Sequence, residues 1–283
     1  MEPRTEQLAA LVRGGTLDAE LAALVVVLLG AHVPVVVAGS RGSDRDALAD
    51  ALLATLADGI SVIELAGAAE EFEWLPEAVE LGWRRERHVA PTIGRDGLAR
   101  ANAAATVIVA RDLAGAGPGA TTGERARLVI RALAVGYGLV ATIDEPDLER
   151  VLDRLHRPPI ATDADERSRL GVVLAVAEAA GGSRVVAAHF VRPVARDQHG
   201  HVQRLPPAVL ATWNVANDSF DHFAWGVALS SRPGSSGRRS SSNASRPGSR
   251  RPSAGRATLR APANEPRPCW PGRCLRRPPG AAR

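Results

Sequence analysis

The sequence predicts an α/β fold, a mainly parallel sheet flanked by helices, and three observations carry that reading. Short runs of β-branched and other apolar residues at 32–38, 60–65, 106–110 and 138–143 alternate with segments of helical periodicity. The first of these runs lacks the polar alternation of a half-exposed strand, as a strand covered on both faces does. Gly39 follows that run and opens a turn into a helix, which is half of a strand–helix–strand crossover.

Taken in order, TLDAELAALVVVLLG from Thr16 predicts a helix. Thr16 is its expected N-cap, Asp18 and Glu20 fall in the first turn where the helix dipole favours acids, and Gly30 stops it. The strand 32–38 (HVPVVVA) follows, and residues 46–57 place Leu48, Leu52, Leu53 and Leu56 at helical spacing. The alternation continues with a strand at 60–65 (ISVIEL), a helix at 94–104, a strand at 106–110 (TVIVA) and a helix at 123–135. A strand at 138–143 (GLVATI) and helices at 146–155 and 166–180 complete it. In 184–205, apolar runs around VVAAHFVRP and HVQRLPP flank the turn-like ARDQHG, which predicts an antiparallel hairpin at the sheet edge. The folded domain is expected to span residues 1–230.

Composition narrows the chemistry. All 35 basic residues are arginine, which removes Schiff-base chemistry, a lysine general base and the usual P-loop lysine together. Both cysteines, Cys269 and Cys274, lie in the last fifteen residues, so a disulfide-built fold and a thiolate nucleophile in residues 1–268 are excluded. The apolar stretch 21–38 is broken by Gly30, His32 and Pro34, so no membrane span is predicted, and the first twenty residues lack the basic start and apolar block of a signal peptide. A cytoplasmic protein is expected.

The net charge of +4 is unevenly placed: residues 231–283 carry +12 and residues 1–230 carry −8. The last segment holds nine Ser, nine Pro, six Gly and 13 Arg with almost no aliphatic residue, a composition that predicts a disordered basic tail. The change after GVALS is so abrupt that a reading-frame shift in a GC-rich gene explains it as well as a native tail does. Thirteen arginines on a flexible segment make nucleic acid or anionic lipid the partner expected of a native tail. His199 and His201 flank a glycine in a predicted turn, and no cysteine or acidic cluster completes a ligand set, so no metal is assigned there.

The most informative segment is VVVAGSRGSDRDALADALL, 35–53, because a P-loop needs a buried strand, a turn whose amides cradle phosphate, and a helix aimed at them. With Gly39 as the first glycine of that motif, Asp44 falls at the second glycine, Arg45 at the lysine and Asp46 at the hydroxyl that holds magnesium. Asp44 brings a β-carbon, Arg45 keeps charge without the compact ammonium, and Asp46 sets a carboxylate beside phosphate oxygens. An ordinary strand–turn–helix whose aspartates cap the helix is the alternative on local sequence alone.

Residues 8–53 resemble the lead-in helix and Walker A region of the type II/type IV secretion ATPases, the family of pilus assembly and retraction motors and Tad-pilus ATPases. ISVIEL resembles its strand ending in the acidic Asp box, IGRDGLARANAAATVIVARDL its helix and Walker B strand, and RALAVGYGLVATIDEPDLERVLDRL its stretch around the histidine box. SRVVAAHFVRPVARDQHGHVQRLPP resembles its closing hairpin, so the match runs over residues 8–205 as an ordered set of segments.

The resemblance implies a RecA-like P-loop domain, ATP and Mg2+ as ligands, a hexamer or other homo- or hetero-oligomer, and secretion or pilus machinery as partners at the inner face of the membrane. It implies nucleotide contacts from Gly39, Ser40, Arg41, Gly42, Ser43, Asp44, Arg45 and Asp46, and catalytic roles for Glu64, at the Asp-box position, and Asp112. Arg111 stands where the Walker B glutamate falls, and one further residue along a strand turns Asp112 to the opposite face. Asp144 replaces the histidine of the histidine box, and Arg84, Arg85 and Arg87 lie where the family carries arginines that reach nucleotide or a neighbour. The family also closes an N-terminal domain over the nucleotide, so an active motor is expected to need another chain to supply it. The leading expectation is a subunit whose nucleotide binding is weak or lost; the alternatives are a slow ATPase using Arg45 and a polyanion-binding adaptor acting through the tail.

Overall fold

The computed structural model describes residues 5–84, 101–196 and 202–223. Two helices lead in, α1 (Glu6–Arg13) and α2 (Ala19–Gly30), followed by β1 (Val35–Gly39), α3 (Arg45–Leu53) and β2 (Ser61–Glu64). The chain continues through β3 (Thr106–Ala110), α4 (Gly123–Ala132), β4 (Gly138–Ile143), α5 (Leu148–His156) and the short α6 (Ala164–Arg167). Six strands close it: β5 (Val172–Ala179), β6 (Gly182–Phe190), β7 (Ala195–Arg196), β8 (Val202–Gln203), β9 (Ala208–Asn214) and β10 (Ser219–His222).

Eight strands form one sheet in the order β10-β9-β6-β5-β1-β4-β3-β2. The five from β5 to β2 are parallel, and β6, β9 and β10 extend the sheet antiparallel. β4 lies between β1 and β3, and helices cover both faces of the parallel part, so the fold is the RecA-like α/β class that the sequence predicts. All of β1, β3 and β4 is buried, which is why their sequences read as apolar runs without alternation. The pleat divides them: Val36, Ala38, Ile108 and Leu139 pack with α4 and α5, while Val35, Val37, Val107 and Val140 pack with α1, α2 and α3. Among the described residues, no helix is long and apolar enough to cross a membrane.

Several expectations are corrected. The helix starting at Thr16 begins at Ala19, with Asp18 as its cap accepting from the Leu21 amide at 2.9 Å. Thr16 is buried instead, and its carbonyl accepts from Val185 of β6 at 2.7 Å. The helix expected at 166–180 is α6 and then β5: alanine, leucine and glutamate favour a helix locally, but Val172, Val173 and Val176 fill both faces of the sheet between β1 and β6. Gly171, at φ 66°, makes the turn into β5, where a β-carbon would collide with the Pro34 carbonyl. Within 184–205 the antiparallel pair expected around ARDQHG is present as the short β7 and β8, but it forms a two-stranded ribbon of its own rather than the edge of the main sheet. That edge is built by β6, paired with β5, and by β9 and β10, a hairpin that the sequence did not indicate. Residues 101–104 of the helix expected at 94–104 hold no α-helix, and its remainder lies outside the described residues, as do the tail, His199, His201, Arg85 and Arg87.

Candidate functional site

The site lies where the C-terminal ends of β1, β2, β3 and β4 meet the start of α3. Gly39 ends β1 because β5 runs close beside it: a β-carbon there would sit 2.6 Å from the Ser43 hydroxyl and 2.8 Å from the Val176 carbonyl. Gly42, at φ 109°, turns the loop back. The Ser43 amide and hydroxyl then both donate to the Ser40 carbonyl, at 3.1 and 2.8 Å, and the Asp44 amide donates to the Ser183 hydroxyl at 3.1 Å. A phosphate cradle needs these amides turned toward an anion, and here two of them are spent inside the protein.

Arg45, at the lysine position, opens α3 and is only 4% exposed. Its guanidinium bends back along the loop, with Nη1 donating to the Gly39 carbonyl at 2.9 Å. The same group lies 3.9 Å from both Asp112 and Asp144 and 3.6 Å from Asp46, while Nε has no hydrogen-bond partner. Arg41, further out on the loop, reaches Asp112 at 3.2 Å and Asp144 at 3.5 Å.

Asp112 departs from the sequence expectation. β3 ends at Ala110, and Asp112 takes the left-handed conformation, φ 50°, with its amide donating to Thr142 Oγ1 at 3.1 Å. That reversal swings the carboxylate toward the loop, where a continuous strand would have pointed it away. Gly115 makes the room, since a β-carbon there would fall on the Asp112 carboxylate.

Glu64, at the end of β2, is engaged by Arg111, whose Nε donates to it at 2.6 Å while Nη2 donates to Asp50 of α3 at 2.7 Å. These two hydrogen bonds, Asp50 first, raise the already high pKa of the Arg111 guanidinium. The structure thus sets Asp112 against Arg41 and Arg45, Asp46 beside Arg45, and Glu64 against Arg111, which ties it to Asp50 of α3 and not to the loop.

Sequence reasoning did not single out Asp50, Glu145, Arg154 or Gly115. Arg41, Asp112, Gly115, Asp144, Glu145 and Arg154 line a cleft of about 270 Å3 beside the loop. Burial raises the pKa of Glu145. Position at the end of a predicted strand could have indicated Glu145, but nothing in the sequence marks Asp50. Arg84 is exposed.

A magnesium-bound triphosphate needs free amides, a free cation and open oxygen ligands. Here the Ser43 amide and Arg45 donate to carbonyls of the loop itself, the Asp44 amide donates to Ser183 of β6, and Glu64 and Asp112 are engaged by arginines. Glu178 adds a carboxylate over Gly42. The residues present do not fit that ligand. Among the described residues, no group of three or more His, Cys, Asp or Glu side chains is placed to hold a metal ion.

No protein-family model matches the chain, and no curated protein matches it. Among solved structures, the chain is similar to the VirB11 ATPase of the Brucella suis type IV secretion system, crystallised in complex with sulphate. The identity is 18% and the TM-score 0.41, over 67% of this chain and 58% of that one. The chain therefore spans less than two thirds of the length of that protein.

Proposed function

We propose that this chain is a degenerate member of the secretion ATPase class, a subunit that neither binds nor hydrolyses ATP efficiently and serves as a structural partner in a secretion or pilus assembly. The observation that carries the reading is Arg45: the residue at the phosphate-lysine position is buried and donates to the Gly39 carbonyl of its own loop. A guanidinium so placed has part of its donor fork occupied before any ligand arrives, and the surrounding acids repel a triphosphate. The ordered resemblance of residues 8–205 supports the family part of the reading. It also supports assembly with further copies or with an active ATPase, through which the complex would sit at the inner face of the membrane.

One specific observation favours a second reading, slow hydrolysis using Arg45: Asp112 faces the loop, within 3.9 Å of that arginine. Phosphate release from Mg-ATP by the full chain decides between them. Release at background level, unchanged by Arg45→Ala, is the expected result. Magnesium-dependent release that disappears in Arg45→Ala would establish the slow enzyme instead.

A further inference from the structure

We propose that Arg41 and Arg111 form a ligand-independent strap, an autoinhibitory contact that holds the β1–α3 loop closed against the ends of the neighbouring strands. The inference rests on the reading of this site as a degenerate phosphate site and says how that site is kept shut. Arg41 leaves the loop and reaches two different turns, Asp112 after β3 at 3.2 Å and Asp144 after β4 at 3.5 Å. Arg111 leaves the turn after β3 and joins α3, through Asp50 at 2.7 Å, to the end of β2, through Glu64 at 2.6 Å. Two side chains therefore connect the loop, α3 and three adjacent strand ends. Each guanidinium spans two carboxylates, which its planar fork can do and a single ammonium does poorly.

The strap also controls access. Arg41 lines the cleft and is 64% exposed on its side chain, so an anion entering the cleft meets a cation already shared between two acids. Once Arg41 swings out, Asp112, Asp144 and Glu145 face the incoming charge. An anionic ligand thus gains little from opening the loop. Screening of the exposed Arg41 pairs by electrolyte is the lever that loosens it.

Amide hydrogen exchange of the full chain tests the strap. Arg41→Ala should speed exchange at 41–44 and 112–116 by about fivefold, as the loss of exposed ion pairs that resist local opening does. Raising salt from about 0.1 M to about 1 M should do the same in the unmodified chain, because the Debye length falls from about 10 Å to about 3 Å and the exposed Arg41 pairs are then screened. Arg111→Ala should speed exchange at 48–52 and 61–65, and the exchanged pair Arg111→Glu with Glu64→Arg should restore part of the protection. Unchanged exchange in both single variants, or in high salt, overturns the strap while leaving the degenerate-site reading in place. Magnesium-dependent ATP turnover by the unmodified chain would overturn that reading, with the strap still decided by the exchange data.

Discussion

Arg111 donates through Nε to Oε1 of Glu64 at 2.6 Å, so the carboxylate at the end of β2 is held by a cation of its own chain. The two residues are 47 positions apart and meet because β2 and β3 are parallel neighbours at the edge of the sheet. A glutamate at position 111 would face Glu64 as a like charge, whereas the arginine turns the same juxtaposition into an ion pair.

Burial separates the two arginines energetically. Arg111→Ala removes pairs that are 37% to 59% exposed and should cost under about 1 kcal/mol. Arg45→Ala removes a buried donor to the Gly39 carbonyl and should cost about 2 kcal/mol. Urea unfolding of the two variants measures the difference, and equal costs would contradict it.

Gly115→Ala should displace the Asp112 carboxylate and lower stability by about 1–3 kcal/mol, the usual effect of an added group in a filled space. In an Asp112→Ala background most of that cost should vanish. A double-mutant cycle on thermal unfolding reads the coupling, and strict additivity would show that Gly115 serves some other constraint.

His189 gives a pH dependence with a definite sign. Burial lowers its pKa below 6.5, against a weaker opposing pull from Asp147. The unfolded chain therefore takes up the proton first, and the stability contributed by the neutral ring is full above pH 6.5 and lost as pH falls through the window beneath it. Denaturant midpoints between pH 7 and pH 5 should decline in the unmodified chain and decline less in His189→Gln.

Glu166 works over a more acidic window. Burial pushes its pKa up, but hydrogen bonds from Arg131, the Asp163 amide and Arg127 outweigh this and hold it below 4.5. Its contribution is present above pH 4.5 and lost as pH falls through the lowered folded value. Glu166→Gln should cost about 1 kcal/mol at neutral pH and close to nothing at the acid end, as a partly exposed ion-pair cluster implies.

Much of the fold was legible because local and tertiary preferences agree. β3 and β4 occupy 106–110 and 138–143, the runs that their apolar residues mark, and the loop–helix unit after β1 stands where Gly39 places it. β5 reads locally as a helix because alanine, leucine and glutamate carry helix propensity, and only its position between β1 and β6 makes VVLAVAEA a strand. At the site, the residue types were legible but their partners were not. Asp112 faces the loop through one residue of left-handed backbone, which no periodicity reveals, and Arg111 meets Asp50 across 61 positions of sequence.

Calorimetric titration of the full chain with Mg-ATP reads whether the β1–α3 loop, whose Arg45 donates to its own Gly39 carbonyl, still accepts a triphosphate. The unmodified chain should give no binding heat above dilution. The triple variant Asp44→Gly, Arg45→Lys, Asp46→Thr, which restores the loop chemistry, should give more. Saturable, magnesium-dependent binding by the unmodified chain, abolished by Arg45→Ala, would show instead that the loop is a working nucleotide site.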